Sequence, residues 1–220
     1  MLQRLKTFLS YIFPFVTRKS TMYSGNMKIK FMNGKKVLNT PNDEANYSYG
    51  SLHRIMRFAL REMNFSSPDD ILLLGLGGGS AIALIRDEFY LPNTIRAVDI
   101  DPAIIQIARD EFALDSYTGT EIICQDAYDF VRETPEKHGL IIIDLFISNK
   151  VPEKFFDDVF WENIARILTP TGYVIFNTII KTTNHELFDS IIARLEKMGF
   201  SLSVHDKVDV TNLMILAKRG

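Results

Sequence analysis

Three aspartates each close a short apolar run: Asp99 after Ile95-Arg96-Ala97-Val98, Asp126 after Ile122-Ile123-Cys124-Gln125, and Asp144 after Leu140-Ile141-Ile142-Ile143. Ahead of them the run Ile71-Leu72-Leu73-Leu74 breaks at Gly75, Gly77 and Gly79, and a helical pattern follows. Glycines at such a break let the chain turn tightly and let a nucleotide approach the backbone, while the next helix offers unpaired N–H groups. Asp99 follows Gly75 by 24 positions. A carboxylate there can accept two hydrogen bonds from a ribose diol, worth roughly 1.5–3 kcal/mol each. Asp126, with Ala127 beside it, can accept from an adenine amino group. Asp144 would face the reacting end of the ligand; a carboxylate after four apolar residues needs either a partner or an open cleft. Simpler roles stay open at this point. The glycines can serve only as a tight turn, Asp101 before Pro102 suits a helix cap, and Asp126 can cap the helix that follows it.

These residues need a frame that brings strand ends together. Apolar runs predict strands over 70–76, 94–99, 120–124, 139–145 and 172–177, alternating with helical patterns over 79–89, 102–113, 126–133, 153–168 and 184–198. Such alternation implies right-handed crossovers and a mostly parallel sheet covered on both faces. Ligands of such sheets lie beyond the carboxyl ends of the strands. The tail departs from the pattern. Phe200–His205 and Asn212–Lys218 are strand-like with only Asp206–Thr211 between them, too short for a crossover helix, so they should be antiparallel neighbours. Upstream, Met27, Ile29 and Phe31 alternate with lysines before Asn33-Gly34, a hairpin signal. Leu2 to Val16 show helical spacing, with Arg4, Lys6, Arg18 and Lys19 among or after them. That helix is expected to pack on its own domain or on a second subunit, with contact to a membrane surface and a targeting peptide as alternatives. The division is a 1–50 element of helix and β-hairpin ahead of a Rossmann-like domain over 51–220.

At 220 residues, 46% of them hydrophobic, the chain can bury one substantial core. A net charge of −2 gives no concentrated basic face, so nucleic acid is not an expected partner. No apolar run reaches the roughly 20 residues needed to span a bilayer. A single cysteine, Cys124, excludes an internal disulfide framework, fits a reducing, cytoplasmic compartment, and is expected as a core thiol near the adenine site. His138, His185 and His205 are scattered without metal-ligand spacing, so no metal is expected.

The dinucleotide fingerprint G-x-G-x-x-G would put its third glycine at Ser80; the spacing here is G-x-G-x-G. With an adenine-directed acid after the third strand and a terminal hairpin, the pattern resembles the class I S-adenosylmethionine-dependent methyltransferases. Ala97-Val98-Asp99-Ile100-Asp101-Pro102, Gln125-Asp126-Ala127-Tyr128-Asp129-Phe130 and Ile141-Ile142-Ile143-Asp144 narrow it further. They resemble the polyamine aminopropyltransferases, the spermidine synthase family, over roughly residues 26 to 218. That resemblance implies Asp99 on the ribose, Asp126 on the adenine, and Asp144 as the base acting on an acceptor amine. It also implies a pocket covered by residues just before the main domain, where Tyr49 and His53 are the substrate-facing candidates. Two departures bear on the reaction. The family's Gly-Gly-Gly-Asp-Gly-Gly uses its aspartate to grip the amine of the aminopropyl group, and that position is Gly78. Its Asp-x-x-Asp after the fourth strand becomes Asp144 and Ile147. A polyamine needs matching negative charge to leave water, and the two substitutions remove much of it. Glu153, Asp157 and Asp158 on the next helix are alternative sources of that charge or a solvated helix start.

The expectation is therefore a transferase that binds S-adenosylmethionine or its decarboxylated form through Gly75, Gly77, Gly79, Asp99, Asp126 and Ala127. Methyl transfer to a small-molecule acceptor is the first reading and aminopropyl transfer to a polyamine the alternative. A non-catalytic nucleotide-binding subunit and an NAD-dependent oxidoreductase are the readings from other classes. A homodimer is an open expectation.

Overall fold

The computed structural model describes residues 7–41, 46–48, 50–63 and 69–220. Strands β1 (Phe15–Ser20), β2 (Asn26–Met32), β3 (Lys35–Asn39) and β4 (Asn46–Ser48) come first in the chain. They are followed by β5 (Ile71–Leu74), β6 (Ile95–Asp99), β7 (Thr120–Cys124), β8 (His138–Ile143), β9 (Leu168–Ile179), β10 (Phe200–Val208) and β11 (Asn212–Arg219). The last seven form one sheet in the order β10-β11-β9-β8-β5-β6-β7. β5 to β9 pair in parallel. β11 inserts antiparallel between β9 and β10, as the short connection requires; β10 runs to Val208, past the expected His205, so the link is only 209–211.

Helices cover both faces because β5 and β8 are buried at every position and need cover on both sides. On one face Leu73, Ala97, Ile142 and Ile175 pack with the helices Ser51–Glu62, Ser80–Asp87 and Pro102–Phe112. On the other, Leu72, Val98, Ile141 and Phe176 pack with Phe160, Trp161 and Phe188 of Asp158–Ile167 and His185–Lys197. Trp161 is fully buried, and its indole N–H donates to the Phe155 carbonyl at 3.0 Å. A buried indole keeps its place only with such an acceptor.

The N-terminal element differs from the expected helix and hairpin. Residues 1–6 of the expected helix lie outside the described residues. Among the described ones only 7–9 are helical, because Pro14 ends the helical spacing and Val16-Thr17 suit a strand. β1 instead pairs antiparallel with β2. The Asn33-Gly34 turn joins β2 to β3, and β4 completes a four-stranded sheet. Its Met27, Ile29 and Leu38 share one buried cluster with Ile104, Ile107 and Phe112 of the main domain. Cys124 is corrected too: it is exposed, because β7 is the edge strand of the sheet and is only partly covered. Among the described residues no helix is long and apolar enough to cross a membrane.

Candidate active site

The parallel register sets Ile71, Ile95, Thr120 and Leu140 side by side, so the strands end together and their following residues surround one cleft. It holds about 1180 Å³ of free space, its open mouth included. Gly75, Gly77, Asp99, Asp126, Ala127 and Asp144 all line it. Gly79 does not; it caps the helix Ser80–Asp87 with φ 81° and lies against Leu114. His53 is also absent from the lining and sits near Arg57 and Glu88, where burial and the Arg57 charge lower its pKa. Ser51, Leu52 and Ile55 of the same helix take the wall instead. Tyr49 lies outside the described residues.

Gly75 is dictated by contact. A Cβ there would stand 2.2 Å from the Asp144 carbonyl oxygen, so only glycine lets the turn after β5 pass the turn after β8. The same turn is tied down by Asp99. One carboxylate oxygen accepts from Leu76 N–H at 3.0 Å and the other from Asp101 N–H at 2.9 Å. Burial pushes the Asp99 pKa up, against those backbone N–H groups. Asp99 therefore shapes the glycine turn as well as facing the cleft, a role its sequence position did not announce. Asp101 caps the helix Pro102–Phe112 through Ala103 N–H, as its place beside proline suggested. It also accepts from Tyr23 N–H at 3.1 Å, which brings the β1–β2 turn, with Tyr23 and Ser24, to the cleft.

Asp126 combines two jobs. Oδ1 caps the helix Ala127–Glu133 through Tyr128 N–H at 2.8 Å, and Oδ2 pairs with Lys154. Lys154 lines the cleft, and no sequence signal distinguished it from a solvated lysine.

Asp144 stands at the other end. The Ile143–Phe176 register places it beside Asn177, whose Nδ2 donates to Asp144 Oδ1 at 2.8 Å. Burial raises its pKa to about 6, and the Asn177 bond opposes the rise. Asn177, Thr211 and Asn212 line the cleft too, and sequence reading missed all three. The available signal, for Asn177 alone, was a polar residue directly after Val174-Ile175-Phe176, where Asp144 follows Ile141-Ile142-Ile143 on the next strand. Among the described residues no group of His, Cys, Asp and Glu is placed to hold a metal ion.

The family profile of the spermine/spermidine synthase domain matches residues 54–206. The chain belongs to that family. It is 28% identical over 177 residues to the polyamine aminopropyltransferase of Sulfolobus acidocaldarius, covering 76% of this chain and 56% of that protein. The chain thus spans just over half the length of that curated relative. The structure of human methyltransferase-like protein 13 in complex with SAH matches with a TM-score of 0.62 and 25% identity, over 78% of this chain and 83% of that one. Spermidine synthase from Thermotoga maritima matches in fold, with a TM-score of 0.65 and 16% identity, over 93% of this chain and 75% of that one. The fold is the Rossmann-like class I methyltransferase fold.

Proposed function

We propose that this family member is a transferase that moves a methyl group from S-adenosylmethionine to a small-molecule acceptor at Asp144. Gly78 carries the choice of donor. A side chain there would start 2.3 Å from Cβ and 2.6 Å from Oγ of Ser48, which is fully buried in β4. Where the family's aspartate grips the aminopropyl ammonium, this chain has a glycine packed under the uncharged Ser48, and neither residue lines the cleft. A donor that keeps its own carboxylate meets no like charge there. The apolar Ile147, on the cleft wall, stands where the second carboxylate for a diamine would be.

In this reading residues 51–220 carry the reaction and 1–50 form the appendage, whose Ser48 packs on the glycine turn. Gly75, Gly77 and Asp99 hold the ribose and its neighbours, and Asp126 with Ala127 reads the adenine once Lys154 gives way. The bound cofactor supplies a methyl carbon on a sulfonium, which departs as a neutral thioether. The protein's task is then alignment, with the attacking atom roughly 3–3.5 Å from that carbon. Asp144, ionised above about pH 6, accepts the N–H or O–H of the incoming group and aims its lone pair. Leu52, Ile55, Phe146 and Ile179 give the acceptor an apolar wall that sheds water. The bound SAH of the methyltransferase-like neighbour supports this reading.

Aminopropyl transfer from decarboxylated S-adenosylmethionine is the second reading, favoured by family membership and by the named activity of the Sulfolobus relative. Calorimetry on the full chain with S-adenosylmethionine, its decarboxylated form and NAD separates the cases. We expect S-adenosylmethionine to bind and NAD to fail. Tenfold tighter binding of the decarboxylated form would reverse the order of the two transfers, and binding of neither sulfonium would sink both. Cofactor binding without turnover on any acceptor would mark a non-catalytic subunit.

A further inference from the structure

Asp144 is the first member of a one-way chain of hydrogen bonds. Asn177 Nδ2 donates to Asp144 Oδ1 at 2.8 Å, Asn212 Nδ2 donates to Asn177 Oδ1 at 2.9 Å, and Thr211 Oγ1 donates to Asn212 Oδ1 at 2.9 Å. The strand register builds it. Asn212 lies opposite Ile179 and Asn177 opposite Met214, so the two amides are diagonal neighbours across β9 and β11. Asn177 and Asn212 are 1% and 6% exposed, in strands otherwise rich in apolar residues.

Two amides in such a place cost stability unless each is satisfied, and here each completes the other. The direction follows from the carboxylate. An ionised Asp144 only accepts, so Asn177 must turn its NH₂ toward it and its oxygen toward β11. Asn212 must then present NH₂ to that oxygen and its own oxygen to Thr211. Every bond points toward Asp144. Among the described residues Asp144 Oδ2 has no protein hydrogen-bond partner, and Asp144 faces the cleft.

We infer that Asn177, oriented by Asn212 and Thr211, is a positioning residue that holds the Asp144 carboxylate ionised and turns its second oxygen toward the acceptor. Its catalytic meaning rests on the transfer reading above; the relay itself does not. Both asparagines stand on the cleft wall, on the neighbouring strands β9 and β11. The acceptor thus meets a carboxylate whose rotation is already fixed, which lowers the ordering cost of the reactive geometry.

The other charged groups of the cleft are Asp99 and Asp101 after β6, Asp126 after β7, and Lys154. Against Asp144, burial acts upward and the Asn177 amide downward. Loss of that amide should therefore move the titration of Asp144 further up.

The test is a carbon-13 carboxyl NMR titration of the full chain, with the Asp144 signal assigned by its loss in Asp144→Asn. Asn177→Leu should raise the midpoint by about half a pH unit or more, Asn177→Ser should restore part of the shift, and Asn212→Leu should raise it less. A folded Asn177→Leu variant with the wild-type midpoint overturns the relay. If Asn177→Leu does not fold, Asn212→Leu decides: it keeps the direct bond, and an unmoved midpoint refutes the orienting role. The titration needs neither cofactor nor acceptor. Its failure leaves the methyl-transfer reading intact, and failure of S-adenosylmethionine to bind leaves the relay intact.

Discussion

Strand β8 carries a buried ionisable group at each end, and the two are equipped differently. His138, its first residue, is fully buried, and neither ring nitrogen has a hydrogen-bond partner among the described residues. Burial, helped by the Arg96 charge, lowers its pKa to about 4. Asp144, just past the last residue, is raised to about 6 by burial, yet it has an amide relay on one oxygen and a cleft at the other. Burial favours the neutral form at both ends. A perturbed pKa therefore does not identify a reactive group here; the polar partner and the open side do. His138 stands at the amino edge of a parallel sheet, where packing closes, and Asp144 at the carboxyl edge, where loops splay apart.

The largest effect should come from removing the reactive end. Asp144→Asn is expected to keep near-normal S-adenosylmethionine binding while turnover falls on the order of 10²–10⁴-fold, the usual worth of a positioned base. Wild-type turnover in that variant would leave the two ends of β8 equivalent.

The two ends should also oppose each other in stability. His138 has a depressed folded pKa, so its contribution is present above its unfolded value of 6.5 and is lost as pH falls toward about 4. Asp144 has a raised folded pKa, so its contribution is present below 3.8 and is lost as pH rises through about 6. Each span is worth on the order of 3 kcal/mol at about 1.36 kcal/mol per unit. Urea unfolding at about pH 7 and about pH 4.5 should show His138→Leu gaining stability on acidification relative to wild type, and Asp144→Asn losing it. Parallel curves for the two variants would break the comparison.

At the cofactor end, Asp99→Ala should weaken S-adenosylmethionine by roughly 1.5–3 kcal/mol through lost charged hydrogen bonds, with some loosening of the glycine turn. An unchanged dissociation constant would remove Asp99 from the site. The smallest effect belongs to the hairpin tip. Arg54 pairs with Asp209 through two bonds of 2.8 Å, tying the 209–211 link to the helix Ser51–Glu62. The pair is largely exposed, so Arg54→Ala should cost less than about 1 kcal/mol of stability in the same unfolding assay.

Much of this frame was legible without coordinates. The apolar run Ile71–Leu74, all buried, and the glycine break after it told of a parallel strand feeding a ligand edge. The expected 206–211 link was too short for anything but an antiparallel return. Position within the sheet was not legible. Cys124 reads as a core thiol by its neighbours, but β7 is an edge strand, and edge status depends on which strands lie beside it. The end of the helical spacing over Leu2–Val16 likewise lost to pairing with β2, because cross-strand partners are remote from the segment they recruit.

The amino-acid sequence by itself determined the strand-and-helix order, the glycine turn and the three aspartates at the strand ends. These depend on apolar periodicity and backbone preference, which are local. Only the tertiary structure decided that Ser48 would fill the space over Gly78, that Lys154 would meet Asp126, and that Asn177, Asn212 and Thr211 would line up on Asp144. Apart from the adjacent Thr211 and Asn212, those contacts join residues 28 to 35 positions apart, and their partners are chosen by strand register and packing. No local pattern carries that information.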